Sequence, residues 1–210
     1  MVNSWNIAEK DAFLRFAPKY FDYIKETIDT PSILAKIFGF YTVQMRTMDD
    51  KKQVLNIDVI VMEQLFYGQS ISKIFDFKGI PDRQVDEERR SQPDVTLWDG
   101  DWREGYRMGY VTHEQSREWV QTAIERDTQF LSNGNIMDYS LLVGVDKIKK
   151  ELTVGIVDFI GAYTWYKKIE SKSKSTIHRN REVTVLPPDQ YRLRFCREVF
   201  DYFIPVAGNL

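Results

Sequence analysis

A single cysteine, Cys196, stands in this chain of 210 residues, which therefore has no internal disulfide framework and no cysteine-rich zinc site. That suits a reducing compartment. Histidine is nearly as scarce: His113 and His178 are too few for a histidine metal cluster. No uninterrupted apolar run approaches the roughly 18 residues that span a bilayer. Met1 to Lys10 also lacks the basic-then-apolar order of a secretion signal. Any work at a membrane is then done from its surface. The formal net charge is only -2, so no overall field advertises nucleic acid, and local patches have to carry any electrostatic recognition. Gly39 and Gly68 stand alone and cannot make a glycine-rich phosphate cradle.

What is present points to a packed α+β domain. Apolar residues make up 43% of the chain and aromatic ones 14%, enough for a core that excludes general disorder. Helical spacing of Phe13, Phe16, Ala17, Tyr20, Phe21, Ile24 and Ile28 predicts a helix over 6–28, capped by Asn6 with Glu9 and kinked or restarted at Pro18. Residues 37–45 and 55–61 alternate as two strands of a hairpin around the charged turn 49–52, and a third strand is predicted over 72–77. Residues 79–110 hold a charge run (Asp86 to Arg90) and few periodic apolar positions. They are expected to be a largely irregular surface segment with one strand over 95–98. A helix over 113–131 follows, with Thr112 and Gln115 as capping box and Trp119, Val120, Ala123, Ile124, Phe130 and Leu131 as its apolar face. Strands over 140–145 and 152–159 flank the turn 146–150. A last helix opens at Pro187-Pro188-Asp189, with Tyr191, Phe195, Val199 and Phe203 on one face.

Two carboxylates stand out by position. Asp138 lies in the loop after the long middle helix, and Asp158 ends the following hairpin. A protein-kinase core places its acceptor-facing Asp and its Mg²⁺-binding Asp in this order, because phosphoryl transfer is mostly a matter of positioning a nucleophile and a metal. Spacing alone reads equally well as two aspartates capping turns. Between residues 166 and 182, Lys167, Lys168, Lys172, Lys174, Arg179 and Arg181 outnumber Glu170 and Glu182. Such a run is either a solvated loop or, beginning soon after Asp158, the basic activation loop of a kinase.

The wording of six ordered stretches adds a resemblance. Ile136-Met-Asp-Tyr-Ser-Leu-Leu-Val-Gly144, Phe75-Asp-Phe-Lys-Gly79 and Gly155-Ile-Val-Asp158 resemble the catalytic, lysine-bearing and metal-binding segments of phosphatidylinositol phosphate kinases. Phe16-Ala-Pro-Lys-Tyr-Phe21, Val61-Met-Glu-Gln-Leu-Phe-Tyr-Gly68 and Tyr191-Arg-Leu-Arg-Phe-Cys196 are similar to the endosomal branch that makes 5-phosphates from phosphatidylinositol 3-phosphate. The resemblance covers about residues 11 to 204. It implies a two-lobed, protein-kinase-related fold, an antiparallel sheet with flanking helices. Residues 1–66 would be what remains of a truncated N-lobe and 67–210 a C-lobe.

In that frame the resemblance implies ATP and Mg²⁺ as cofactors. Asp138 would receive the inositol hydroxyl and Lys78 would neutralise charge on the transferred group, while Asp158 would bind Mg²⁺. Met62, Gln64, Leu65 and Phe66 would form the hinge facing adenine, with Leu142 and Val157 sandwiching the base. Lys167 and Lys168 would meet a phosphoinositide in a membrane surface. The implied location is cytoplasmic, peripheral on endosomal or vacuolar membrane. The sequence departs from the pattern at Ile80, where a serine is usual, at Gly161, where the closest branch has arginine, and at Tyr166, where an acidic residue is usual. No glycine-rich loop or strand lysine precedes the first helix. Two outcomes stay open: a lipid kinase domain, weak or inactive as this chain, or a degenerate kinase-like scaffold that binds membranes or proteins.

Overall fold

The structure, a computed structural model, describes residues 7–46, 54–106, 110–160 and 186–206. Helix α1 (Ile7–Glu26) runs through Pro18 as one element, without the predicted restart. The Asn6 cap and the 49–52 turn lie outside the described residues. Strands β1 (Ile37–Arg46) and β2 (Val54–Met62) form the expected antiparallel hairpin. The pleat turns Phe40 and Asp58 toward α1, where Phe13 meets the Phe40 ring at 5.4 Å and Lys10 Nζ lies 2.8 Å from Asp58 Oδ2. The opposite face presents the cross-strand pairs Tyr41–Val59, Val43–Ile57 and Met45–Leu55.

A second sheet has the order β4-β3-β6-β7. It comprises β3 (Ile71–Phe77), β4 (Thr96–Trp98), β6 (Ser140–Asp146) and β7 (Glu151–Val157). It is mixed rather than wholly antiparallel, because β4 joins β3 in parallel. Residues 33–35 run along the outer edge of β7, where Ile156 N–H donates to the Ile33 carbonyl (2.7 Å) and Ala35 N–H to the Ile156 carbonyl (3.0 Å). A small parallel pair, β5 (Val111–His113) with β8 (Ile204–Val206), was not foreseen.

The segment 79–110 departs most from expectation. It forms the short helices α2 (Glu87–Arg90) and α3 (Asp99–Gly105) around β4, and it contributes core residues. Trp102 is fully buried against Phe75 (4.9 Å between centroids) and Phe77 (5.6 Å), and its indole N–H donates to the Tyr202 carbonyl. The few aromatic residues in a polar stretch are enough, since each buries a large area.

Helix α4 (Glu114–Asn133) begins after Thr112, which lies in β5 and donates to Ile204 O. The predicted capping box is therefore not formed. Trp119 is 62% exposed and lies off the core face. Helix α5 (Pro188–Phe200) starts at the proline pair, as expected, and ends before Phe203, which is buried beyond the helix.

The fold is tied across α1 and α4 by Asp127. This carboxylate, wholly buried, accepts from Tyr23 Oη at 2.6 Å and from Ile33 N–H at 2.7 Å, while the Tyr23 ring stacks on Phe130 at 4.1 Å. Burial pushes the Asp127 carboxyl above its ordinary range, against the pull of those donors. The folded chain thus keeps a proton that the unfolded chain releases above about pH 4. This stability is complete below the unfolded pKa and is lost as pH rises through the folded one. In urea titrations, the wild type should therefore lose stability relative to Asp127→Asn over a range that starts at about pH 4 and runs upward. A constant difference across that range would contradict the assignment.

Candidate active site

The strand register brings three chain segments to one end of the four-stranded sheet. Phe77 at the end of β3 pairs with Leu141, and Ser140 at the start of β6 pairs with Val157 at the end of β7. Lys78, Asp138 and Asp158 therefore emerge together. The pleat also sorts the two faces. Phe75, Phe77, Leu141, Val143 and Ile156 point into the core with 0% exposure. Asp76, Leu142, Gly155 and Val157 share the other face.

Lys78 reaches across to Asp138. Its Nζ lies 2.7 Å from Oδ1 and 2.8 Å from the Asp138 carbonyl oxygen, with the lysine side chain 19% exposed and the aspartate 57%. Asp76 is paired with Arg83 Nη2 at 2.9 Å. Asp158 is the remaining carboxylate, and among the described residues it has no ion-pair partner. The protein that crowds it raises its carboxyl pKa. The charges of Asp76 and Asp138 push the same way and Lys78 pushes back. Three carboxylates thus share two cations, and the uncompensated charge sits on the residue predicted to bind metal.

Asp138 (φ 63°) and Asp158 (φ 62°) both adopt the left-handed region that non-glycine residues rarely occupy. Lys150 does the same in an ordinary hairpin turn, so this conformation does not by itself mark a site. What distinguishes the two aspartates is their convergence.

The loops are buttressed from beneath by α5. Tyr191 Oη donates to the Tyr139 carbonyl, and the Tyr139 ring meets Tyr191 edge-on at 4.9 Å and Phe195 at 5.0 Å. Arg194 Nη2 donates to the Lys78 carbonyl at 3.2 Å. Gly79 (φ 65°) lies against the helix backbone: a Cβ there would sit 2.8 Å from Phe195 Cα.

On the other side, wholly buried Asp99 accepts from the N–H groups of Lys78 (3.1 Å), Gly79 (2.9 Å) and Ile80 (3.2 Å) and from Tyr202 Oη (3.1 Å). Arg83 Nε lies 3.3 Å from its Oδ2. Burial raises the Asp99 pKa, opposed first by Arg83. Asp99, Arg83 and Arg194 were not singled out from sequence. Arg194 lies in the Tyr191–Cys196 stretch without an assigned role, and the hint of Asp99 is a carboxylate wedged between tryptophans in Trp98-Asp99-Gly-Asp-Trp102.

The segment predicted as hinge lies over the same sheet face. Met62 ends β2, and Glu63 N–H donates to the Lys36 carbonyl at 2.7 Å. Leu65 covers Gly155 so closely that a Cβ there would lie 2.6 Å from Leu65 Cδ2, and Phe66 covers Gly144 in the same way. Leu142 pairs with Gly155 and Val157 follows two residues on, so Leu65, Leu142 and Val157 border one surface. Gln64 is exposed and accepts from Tyr67 N–H. Lys167 and Lys168 lie outside the described residues.

Among the described residues no group of three acidic, histidine or cysteine side chains forms a metal cage. Mg²⁺ at phosphoryl-transfer sites needs no such cage, since one or two carboxylates act with substrate phosphates and water. The unpaired Asp158 beside Asp76 and Asp138 fits that requirement.

Lys78, Asp138 and Asp158 thus form one candidate site at the open end of the β6–β7 hairpin. In comparison with known proteins, residues 1–153 and 147–202 match the family described as phosphatidylinositol-4-phosphate 5-kinase. The chain is 37% identical over 211 residues to 1-phosphatidylinositol 3-phosphate 5-kinase FAB1 of Saccharomyces cerevisiae, covering 97% of the chain and 9% of that protein. It is 38% identical over 210 residues to the human 1-phosphatidylinositol 3-phosphate 5-kinase (96% and 10%). It is 37% identical over 208 residues to FAB1B of Arabidopsis thaliana (96% and 12%). The chain belongs to the phosphatidylinositol phosphate kinase family. It spans about a tenth of the length of these curated relatives.

Gly79→Ala should lower stability by about 2 to 4 kcal/mol, combining the left-handed backbone with the Phe195 clash. A thermal melt unchanged from wild type would show that α5 does not press on this turn.

Proposed function

We propose that the chain carries the acceptor and metal side of a lipid kinase site, which transfers the γ-phosphoryl group of ATP to an inositol hydroxyl of a phosphoinositide, with phosphatidylinositol 3-phosphate as substrate. The observation that supports this reading best is the meeting of Lys78, Asp138 and the unpaired Asp158 at one end of the sheet.

Asp138 stands open to solvent, where its carboxylate can accept the proton of the attacking hydroxyl as the new O–P bond forms and the bond to ADP breaks. Lys78, held by the same carboxylate, offers an ammonium that can follow charge onto the transferred oxygens. Asp158 would hold Mg²⁺, which when bound supplies charge neutralisation for the phosphates. Leu65, Leu142 and Val157 offer an apolar surface for adenine, with Met62, Gln64 and Phe66 around the bend.

The two sheets support a division into lobes. Residues 1–66 carry α1 and the β1–β2 hairpin on the N-lobe side, and 67–210 the sheet with Asp138 and Asp158 on the C-lobe side. Lys167 and Lys168 meet the lipid headgroup, placing the protein on the surface of endosomal or vacuolar membrane. Among the described residues no helix is long and apolar enough to cross a membrane.

The 210 residues contain no glycine-rich loop to grip the ATP phosphates, so this polypeptide by itself is expected to turn over far below the roughly 1–100 s⁻¹ of kinases. With radiolabelled ATP and phosphatidylinositol 3-phosphate vesicles, slow incorporation should fall to background in Asp138→Asn. Incorporation that ignores this substitution would sink the site assignment, and Asp138-dependent turnover at ordinary kinase rates would sink the weak-activity expectation. Reversing Lys167 and Lys168 to glutamate should weaken co-sedimentation with anionic liposomes by about 1 kcal/mol or more per position. Unchanged sedimentation removes the lipid role of that loop.

A further inference from the structure

We infer that Asp99, with Arg83 as its counter-ion, is a positioning device that sets where Lys78 and Asp76 stand relative to the two loop aspartates. Its purpose rests on the kinase reading above; its geometry does not.

The Lys78-Gly79-Ile80 turn directs three successive N–H groups at one point, and such a turn is a concavity for an anion. Here the anion is internal: the Asp99 carboxylate, 0% exposed, fills it with hydrogen bonds of 2.9 to 3.2 Å. The Lys78 carbonyl on the far side of the same residue is held by Arg194. With its N–H and its C=O both engaged, Lys78 keeps only side-chain freedom. The end of that side chain is bound to Asp138.

Arg83 extends the device sideways. Its guanidinium lies against Asp99 (3.3 Å), pairs with Asp76 (2.9 Å), donates to the Asp76 carbonyl and stacks over the Trp98 ring at 4.9 Å. Asp76 is one of the charges that bear on Asp158. One buried carboxylate and one arginine thus connect the lysine that grips Asp138 to a carboxylate whose charge bears on Asp158.

Buried Asp101, Asp127 and Asp146 also accept from backbone N–H groups, but those that Asp99 gathers belong to the turn that carries Lys78. Its counter-ion Arg83 also bridges to a second residue at the sheet end, Asp76. Substitution should therefore disturb Lys78 before it disturbs the fold.

The test reads Lys78 directly. The full chain is acetylated with limiting acetic anhydride, and the rate at each lysine is followed by mass spectrometry. Lys10, which pairs with Asp58 on another part of the molecule, and Lys73, on β3 over Tyr106, serve as internal references. Asp99→Asn removes the charge from the hollow where three donors converge and sets an NH₂ against Arg83 Nε in place of Oδ2. It should raise the Lys78 rate several-fold while Lys10 and Lys73 stay within about twofold of wild type.

Arg83 is part-exposed, so its variants give a second reading where Asp99→Asn does not fold. Arg83→Gln should raise the Lys78 rate, and Arg83→Lys should restore most of the protection. In the vesicle assay either disruptive variant should lower kcat on the order of tenfold with KM for ATP within about twofold, as expected of a misplaced group.

A folded Asp99→Asn protein with Lys78 protected as in wild type overturns the inference. So does equal protection in Arg83→Gln, or a rise shared equally by all three lysines. Phosphate transfer that is the same in wild type and Asp138→Asn defeats the kinase reading and leaves the labelling result to decide the positioning role.

Discussion

A carboxylate removed from water has to recover its hydrogen bonds from the protein, and in this molecule the buried Asp99 recovers them from a turn that begins with Lys78. That exchange governs the local structure in both directions. The charge of Asp99 is tolerable only because the turn, Tyr202 and Arg83 surround it. The turn in turn keeps its shape because a negative charge sits in its hollow. Asp101, Asp127 and Asp146 repeat the device elsewhere: Asp101 holds the N–H groups of Val85 and Trp98, Asp127 that of Ile33, and Asp146 those of Ser70, Ile148 and Lys149. Loops that carry few apolar residues are thereby fixed to a rigid sheet.

This explains which parts of the fold were legible in the sequence. Strands β1, β2, β3, β6 and β7 and helices α1, α4 and α5 follow from period-2 and period-3.6 patterns of apolar residues, which are properties of neighbouring positions. Asp138 and Asp158 stand out in the sequence because each lies next to a strand end whose position the pattern sets, whereas Lys78 stands out only through the wording of Phe75–Gly79. Asp99 does not. Its partners are backbone N–H groups about twenty residues away, and no pattern of side chains announces them. Apart from its strand at 96–98, which the sequence does predict, the order of segment 79–110 is hidden for the same reason. Its order comes from Asp99, Asp101 and Trp102 meeting the sheet, not from any periodicity of its own. The Thr112 cap failed by competition, since that residue is claimed by the β5–β8 pair.

Helix α1 gathers contacts that no single element could. Phe13 meets the hairpin at Phe40, Phe16 meets α4 at Phe130, and Phe16 and Tyr20 meet Phe159, the residue after Asp158, at 6.2 and 5.8 Å. Tyr20 Oη also accepts from Ile37 N–H and donates to the Ala35 carbonyl, fixing the entry into β1. A displacement of α1 would be felt at once by the hairpin and by the residue that follows the candidate metal ligand. The aromatic spacing along residues 13–20 is what makes this possible, and that spacing was visible from the start.

The balance of charge at the sheet end follows from these supports. Arg83 is held by Asp99 and Trp98 and so stays with Asp76. Lys78 is held through its backbone and so reaches Asp138. Neither cation is free to swing to Asp158, whose carboxyl is left crowded by like charges in a partly desolvated place. Mobile side chains would pair with all three carboxylates in turn and spread the repulsion among them. Fixed ones concentrate it on a single residue, which is the arrangement in which one added cation gains the most. The buried strut and the open carboxylate are in this sense two ends of one constraint, running from the core beneath the sheet to the surface where phosphate would arrive.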